Sequence, residues 1–450
     1  MRFRDLIRSS TVLSAPGIIS IFISLLSIPI HLNQAGSENY GNYIIFHFIL
    51  MFSVNLNFGI GKSTVISINN IPNKKKEISF KALSYTTNIS LIILILIIFL
   101  YLFKKYLIFD YSEFYEFTLY LLFGSIISVF FISLEGVLQG NRKFKLLSFF
   151  NLFFYSFSLS IPSILLIYKN FNLENLIFIS ILIKLISTLM MMIIVKYYNL
   201  IKKSDNRILA NNLKKNARWI TLNSLLIQLY DLFDKYLIKI FLGPIAVATY
   251  SIPQQLTGKL SIISKSFSAF LLPNLSKKKI DNLSFNFSLQ IFIKFIPIVI
   301  FLMIPIYPII LKFWLGASYN DTILNLTKIF SLSVIYSCAS HILITKFEAT
   351  KTLNRNLKIE FFLMPFFLIT LYFLTSENFS LLLIGTLILT KELILLFLRL
   401  KLLNLKIQRN NSLYLYPIYF LIMLLLSFYN YYLYYLMLLP LILNLFRNND

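Results

Sequence analysis

The stretch ISLIILILIIFLYLF, residues 89–103, contains no charged residue and lies within a segment long enough to span a bilayer as a helix. A second stretch of this kind, FFLMPFFLITLYFLT, covers residues 361–375, and similar runs recur along all 450 residues. Over the whole chain 58% of residues are hydrophobic and only 13% are charged. A soluble protein of this length needs more polar surface to cover its core. The sequence therefore predicts an all-α polytopic membrane protein.

The spacing of the apolar segments predicts about fourteen transmembrane helices. They are expected near residues 11–32, 40–62, 82–103, 115–138, 146–168, 173–195, 217–241, 245–272, 288–311, 322–345, 359–375, 379–398, 413–428 and 431–446. The last two are short for a full crossing, so twelve helices followed by a shallow hairpin is the alternative. Because so many spans follow it, the N-terminal MRFRDLIRSS segment is interpreted as part of a retained first helix rather than a signal peptide.

The net charge of +24 is explained by topology rather than by nucleic acid. If the N-terminus is inside, the inside segments hold 30 of the 42 Lys and Arg residues. The outside loops hold only Lys104, Lys105, Lys169 and Lys312. Cytoplasmic loops of membrane proteins collect basic residues. We therefore expect a multi-pass protein with a cytoplasmic N-terminus and no nucleic-acid partner.

Other common sites are not indicated. The single cysteine, Cys338, excludes an intramolecular disulfide. The three histidines, His31, His47 and His341, lack metal-ligand spacing, so no metal site and no cofactor are predicted.

The stretch GIGKST, residues 59–64, resembles the end of a phosphate-binding P-loop. The position where that motif requires its first glycine is Leu56, and the preceding segment is a membrane helix instead of a strand. No nucleotide binding is therefore predicted.

Two predicted cytoplasmic corners indicate an internal duplication. EGVLQGNRKFK at 135–145 and EATKTLNRNLK at 348–358 share Glu, Asn, Arg and Lys at a constant offset of 213 residues, and a looser match joins 32–40 to 241–250. Both halves start inside, which predicts two parallel six-helix repeats around a central cavity, where such transporters bind substrate. The expected organisation is an N-terminal lobe (1–200), a basic linker (201–216), a C-terminal lobe (217–405) and an additional C-terminal hairpin (406–450).

Four stretches carry a family resemblance. They are LNQAGSENYGNY at 32–43, Phe58-Gly59, Phe241-Leu242-Gly243, and Tyr250 followed by Gln254-Gln255. On these stretches the chain resembles the Wzx-type O-antigen and capsular polysaccharide flippases of the MATE-like multidrug/oligosaccharidyl-lipid/polysaccharide superfamily. The resemblance implies transport of undecaprenyl-pyrophosphate-linked oligosaccharide across the bacterial inner membrane, without enzymatic activity. It implies the lipid-linked oligosaccharide and membrane lipids as partners, with a polysaccharide polymerase and other glycan-assembly proteins as further candidates.

Polar residues on the predicted membrane helices supply the candidate site. Charged groups in a membrane usually face a cavity or a partner, and lysines suit a pyrophosphate headgroup. The predicted substrate-binding residues are Arg8, His47, Asn55, Lys62, Gln254, Lys259 and Lys265. The predicted ion-coupling residues are Asp231 and Asp234.

Each assignment has a structural alternative. Asp231 or Asp234 can instead pair with Lys235 or Lys239 to hold the helix, and Asp231 and Lys235 have the favourable i,i+4 spacing. His47 suits an interior hydrogen bond. Lys265 is placed to extend to the cytoplasmic interface, and Lys62 to anchor a helix end there.

Three other functions compete with the flippase interpretation. A multidrug–cation antiporter and a peptidoglycan-precursor flippase share the superfamily, and the second is hard to separate by sequence. A membrane polymerase or glycosyltransferase is disfavoured, because the predicted outside loops are short and contain no arginine. No catalytic residue is therefore predicted, and no feature of the chain identifies the sugar.

Overall fold

The structure, a computed structural model, describes residues 3–54, 59–102, 118–167, 172–204, 206–276 and 282–403, and almost all of these are helical. The helices are α1 (Phe3–Val54), α2 (Ile60–Asn70), α3 (Lys75–Leu102), α4 (Thr118–Gly140), α5 (Phe144–Asn151), α6 (Ser158–Leu165), α7 (Leu173–Tyr197), α8 (Arg207–Gly258), α9 (Ile262–Ser276), α10 (Asn282–Met303), α11 (Tyr307–Leu315), α12 (Asp321–Ala349), α13 (Leu353–Ser376) and α14 (Leu381–Leu402). A π-helix (Leu152–Phe157) joins α5 to α6, and 3₁₀ turns include Lys259–Ser261 between α8 and α9.

The helical architecture confirms the predicted fold class. Nine helical stretches within the described ranges are long and apolar enough to cross a membrane. Kinks and breaks divide or merge several predicted crossings, so the helix labels do not count crossings. The predicted segments 413–428 and 431–446 lie outside the described residues, and the choice between fourteen and twelve crossings stays a prediction.

The helices form two bundles, named here the N lobe (α1–α7) and the C lobe (α8–α14). In the N lobe, α4 packs against α2, α3 and α7, and in the C lobe, α12 packs against α8, α9 and α14. The lobes meet mainly where α1 contacts α8 and α9, and where α2 contacts the same two helices. The sequence predicts a cavity between the halves at this contact surface.

Equivalent kinks support the predicted duplication. The two long helices, α1 and α8, each bend at a glycine: Gly36 has φ 80° and ψ 166°, and Gly243 has φ 85° and ψ 170°. Side chains other than glycine rarely adopt this backbone conformation. Both glycines lie in the predicted outside turns, so the same turn is built at the same place in each half. This side of the molecule is called the kink end below.

The two corners on the other side also match, but in a different register from the predicted one. The corner after α4 has a left-handed Arg142 and the corner after α12 a left-handed Lys351, 209 residues later. The amide of Arg142 donates to the carbonyl of Gln139, and that of Lys351 to Glu348, in the same way. The predicted offset of 213 is therefore wrong by one helical turn, and Glu348 corresponds to Gln139 instead of Glu135. This side is called the basic end.

The predicted helix 40–62 needs a correction. Gly59 adopts a left-handed conformation with φ 64°, and a separate helix, α2, runs from Ile60 to Asn70. Lys62 therefore lies in the first turn of α2, about two turns before its end, and not at a cytoplasmic helix end. The sequence missed this break because the residues around it are compatible with a continuous apolar helix.

The linker between the lobes is partly helical. α8 begins at Arg207, and the side chain of Asn206 caps it by accepting hydrogen bonds from the amides of Ile208 (3.0 Å) and Leu209 (3.4 Å). An N-cap of this kind satisfies amides that have no partner within the helix. The second half of the segment 201–216 thus belongs to α8, while the lobe boundaries stay predictions.

Candidate functional site

A cavity of about 750 Å³ lies between the lobes. The N lobe contributes residues from α1, α4, α5, the π-helix and α6, and the C lobe contributes residues from α8, α9, α12, α13 and α14. A second cavity of about 430 Å³ lies toward the basic end, and the two share Glu135, Tyr155, Lys265 and His341 in their walls. The two are named here the main cavity and the basic-end cavity.

The main cavity brings together six of the nine predicted site residues. They are His47, Asp231, Asp234, Gln254, Lys259 and Lys265. Lys62 lines only the basic-end cavity. Asn55 lies outside the described residues, and for Arg8 the structure describes the α1 backbone but not the side chain.

The N-lobe wall is shaped by the π-helix Leu152–Phe157. A π-helix is rare and usually marks a functional position in a longer helix. Here it places Leu152, Tyr155 and Ser156 in the wall of the main cavity. Beside it, the amide of Asn151 donates a hydrogen bond of 3.1 Å to Oε1 of Glu135. This wall is polar but contains few charges.

The two predicted ion-coupling residues have different surroundings. Asp234 is buried, and its carboxylate accepts hydrogen bonds from Nζ of Lys235 (3.0 Å) and from the hydroxyl of Tyr250 (2.9 Å). Asp231 is half-buried. Nζ of Lys235 donates a hydrogen bond of 2.8 Å to the backbone carbonyl of Asp231, not to its carboxylate. Of the pairings that the sequence allows, the structure has the salt bridge of Lys235 to Asp234, and Asp231 keeps its carboxylate in the cavity wall.

A buried ionic network in the C lobe is absent from the sequence predictions. Arg399 of α14 forms a salt bridge with Glu360 of α13, and its Nε donates to Oδ1 of Asn356 at 2.9 Å. Asn356 in turn donates to Oδ1 of Asn223 on α8, at 2.6 Å. The network joins three helices, and Glu360 and Arg399 line the main cavity.

A second pair in α14 was also missed. Nζ of Lys391 lies 3.1 Å from the carboxylate of Glu392 and 4.4 Å above the ring of Tyr230. Both charged residues line the main cavity. A Lys-Glu dipeptide within the apolar run of 381–402 is itself a signal, because intramembrane charges usually mark a functional site. In the sequence both residues were assigned only to the interior of the predicted helix 379–398.

The charges in the wall of the main cavity are of both signs. The main cavity is lined by the acids Glu135, Asp231, Asp234, Glu360 and Glu392 and by the bases Lys259, Lys265, Lys391 and Arg399. Three of the acids are salt-bridged to cations of their own lobe. Lys265 makes no salt bridge to any described residue. The wall is therefore mixed in charge: Lys265 lies on the side formed by α9, and Glu135 and Asp231 also make no salt bridge to any described residue.

The lobes contact each other at the basic end. Nζ of Lys62 lies 2.6 Å from Oε1 of Glu348, which joins α2 of the N lobe to α12 of the C lobe. The side-chain amide of Gln139 donates to the carbonyl of Ala269 at 2.7 Å, joining α4 to α9. Lys62 thus makes an ion pair across the lobes rather than only anchoring a helix end.

The lobes also contact each other at the kink end. The side-chain amide of Gln255 donates to the hydroxyl of Tyr40 at 3.1 Å. Gly41 lies directly against the backbone of Pro244, and a Cβ at this position would clash with it. Since both ends are joined, the main cavity lies between two sets of contacts that link the lobes.

Comparison with known families identifies the chain. The family model described as polysaccharide biosynthesis protein matches residues 36–324, which is more than half of the chain. The chain belongs to this family. The match agrees with the flippase resemblance seen in the sequence. A comparison with curated proteins finds no match.

Solved structures with the same fold are transporters of the MATE type. A MATE protein in complex with MaL6 has a TM-score of 0.67 at 14% identity, covering 90% of this chain and 97% of that one. A point mutant of the Vibrio cholerae MATE transporter VcmN has a TM-score of 0.65 at 14% identity, with 90% and 99% covered. A superfamily transporter from Pyrococcus furiosus, reported with a binding pocket of reverse polarity, has a TM-score of 0.60 at 12% identity, with 89% and 98% covered. At this identity the likeness shows the fold, which is the predicted one.

Proposed function

We propose that this member of the polysaccharide biosynthesis family is a flippase that moves undecaprenyl-pyrophosphate-linked oligosaccharides across the bacterial inner membrane by alternating access. The observation that carries the proposal is the main cavity, which lies between two similar lobes joined at each end. Opening one end at a time would expose the cavity to one side of the membrane and then to the other. On this proposal the basic end and the N-terminus face the cytoplasm.

The cavity chemistry suits a glycan attached to a phosphate group. Lys265, without a salt bridge to any described residue, lies in the same wall as Lys259, where both could attract a pyrophosphate. Oε1 of Gln254, Oγ of Ser340 and Oδ1 of Asn151 line the cavity and are buried without hydrogen-bond partners. Such oxygens accept hydrogen bonds from sugar hydroxyls. The lipid chain would stay in the bilayer.

The other predicted residues take supporting roles in this proposal. His47 lies in the wall of the main cavity, and Arg8, Asn55 and Lys62 are assigned to recruitment of the headgroup. Asp231 and Asp234 remain the candidates for ion coupling. Of the two, Asp231 is easier for a cation to reach, because Asp234 is already neutralised by Lys235.

The rival functions differ in the substrate they need. A cationic drug would be favoured by unpaired carboxylates; Asp234, Glu360 and Glu392 already have cationic partners, which leaves Glu135 and Asp231 in the wall. A peptidoglycan precursor has the same headgroup as an O-antigen or capsule unit, so only its glycan distinguishes it. A polysaccharide polymerase and other glycan-assembly proteins are proposed as partners that receive the product.

The test is transport in proteoliposomes containing the purified protein and a lipid-linked oligosaccharide extracted from the source cells. Transfer of the glycan to the opposite leaflet is measured by its accessibility to a glycosidase. We expect the Lys259→Ala variant to lose about 90% of the activity, whereas Lys358→Ala, which removes an exposed lysine of α13, keeps it. Transport of a cationic dye, with no movement of the glycolipid, would contradict the proposal.

A further inference from the structure

The N lobe contains a lysine that the proposed mechanism has not used. Lys184, in the middle of α7, is fully buried. Its Nζ has no hydrogen-bond partner, and it forms no salt bridge with any described residue. An unpaired charge enclosed in this way is costly, and intramembrane ionisable groups are rarely kept without a function.

The surroundings of Lys184 are mostly apolar. Its Nζ lies 5.2 Å from the ring centre of Phe154, which belongs to the π-helix and is itself fully buried. α7 packs against α4, α6 and the π-helix, with smaller contacts to α1 and α5. The titratable or charged described residues of these elements are His31, Tyr40, Tyr43, His47, Glu38, Tyr120, Glu135, Lys145 and Tyr155. On α7 itself they are Glu174, Lys196 and Tyr197.

His47 connects this lysine to the main cavity. It is close enough to interact electrostatically with Lys184 on one side and with Lys259 on the other. His47 lines the main cavity, and so does Tyr155, the neighbour of Phe154 in the π-helix. Charge that enters the cavity beside Lys259 is thus close to the enclosed amine of Lys184.

We infer that Lys184 is a proton-binding site that responds to an anionic headgroup in the main cavity. The amine is fully enclosed, so a phosphate cannot contact it directly. Without a counter-ion the neutral amine costs less free energy than the ammonium. A pyrophosphate beside His47 and Lys259 supplies negative charge at short range and reverses this preference.

The step is a simple proton uptake. The lone pair of Nζ forms a bond to a proton released by the buffer acid in the aqueous medium, which is left as its conjugate base, and the side chain gains one positive charge. That charge compensates part of the headgroup charge while it is away from water. The inference rests on the proposed function, since it requires a pyrophosphate-linked substrate.

Proton uptake on binding tests this assignment. Purified protein in detergent, in weak buffer at pH 8 with a pH indicator, is mixed with undecaprenyl pyrophosphate, and binding is measured in parallel by the rise in unfolding temperature. We expect the wild type to take up about one proton for each probe molecule bound. The Lys184→Met variant should bind the probe and take up almost none. Lys196→Met, which removes an exposed lysine of the same helix, should behave as the wild type.

The outcomes separate this inference from the proposed function. Failure of the wild type to bind the probe contradicts the proposed function and this inference together. Binding without proton uptake, or equal uptake by Lys184→Met, overturns the inference alone. Lys184→Gln provides a second variant with a polar end group. Since the substitution removes an unpaired amine, neither variant should have a lower unfolding temperature than the wild type.

Discussion

Arg399 is the residue on which the interior of the C lobe depends most. It is 2% exposed and neutralises Glu360, which is fully buried. Removing one partner of a buried ion pair leaves the other charge uncompensated, at a cost of about 3–5 kcal/mol. We therefore expect Arg399→Leu to lower the unfolding temperature in detergent strongly, and the double variant with Glu360→Leu to recover most of the loss. Lys401→Leu, which removes an exposed lysine of α14, is the control. An equal fall in unfolding temperature in Arg399→Leu and Lys401→Leu would contradict this role of Arg399.

The contact between the lobes can be tested at the ion pair of Lys62 and Glu348. Their ion pair is half exposed on the Lys62 side, so its contribution to stability is small, about 1 kcal/mol or less. Its effect should appear in transport, because the pair joins the lobes at the basic end. We expect Lys62→Glu and Glu348→Lys each to reduce transport severalfold through like-charge repulsion, and the exchanged pair to restore much of it.

A failure of the exchanged pair to exceed either single variant would show that the two residues act independently. The matching measurement of unfolding temperature separates loss of folding from loss of transport. Lys81→Glu makes the same charge change at a half-buried lysine of α3 that forms no salt bridge with any described residue, and should leave transport unchanged.

At the scale of the helices, hydropathy predicted most of the architecture but little about which helices contact each other. Apolar runs such as 89–103 must be helical in a bilayer because their backbone groups have no other partners. Which helices face each other is not encoded in this way. Glu360 and Arg399 are 39 residues apart, and Lys62 and Glu348 are 286 apart. Because the partners are so far apart along the chain, neither pair was predicted, although each of the charges was visible in the sequence.

The register of the duplication failed for a related reason. Matching letters place Glu135 opposite Glu348, but the backbone turns at Arg142 and Lys351 show that the helices are related by a shift of one turn. The side chains of a helix can change while its backbone hydrogen bonds stay the same. The conformation of the turn therefore shows the register of the repeat more reliably than the residue identities do. Gly36 and Gly243 belong to the looser match between the halves, and both adopt a backbone conformation that suits glycine.

The contact between α2 and α4 gives a prediction for a whole element. A Cβ at Gly136 would clash with the backbone of Gly61, so the two helices touch backbone to backbone. We expect Gly136→Ala to force them apart and to destabilise the protein by at least about 1–3 kcal/mol, seen as a lower unfolding temperature. Gly258→Ala is the matched control, since its Cβ would meet open space in a helical position, and it should be neutral or slightly stabilising. Equal stability of the two variants would contradict the close packing.

For the whole molecule, the prediction concerns the movement of the two lobes. The lobes are joined at the basic end by polar side chains and at the kink end by Gly41 against Pro244. A transporter that works by alternating access must break these two sets of contacts in turn, because opening both at once would leave a leak. Transport should therefore stop if either set of contacts is fixed covalently.

Cysteines at 40 and 255, in a Cys338→Ser background, fix the kink end when one short bis-thiosulfonate reagent oxidises both thiols into disulfides with it, since the side chains of Tyr40 and Gln255 meet across the lobes. We expect oxidation to abolish glycolipid transport in proteoliposomes and reduction to restore it. Each single-cysteine variant should be insensitive to oxidation. Undiminished transport by the oxidised protein would mean that the lobes do not separate at this end. A rigid lobe contact is compatible with a channel or a static scaffold, but not with a cavity that opens alternately to the two sides of the membrane.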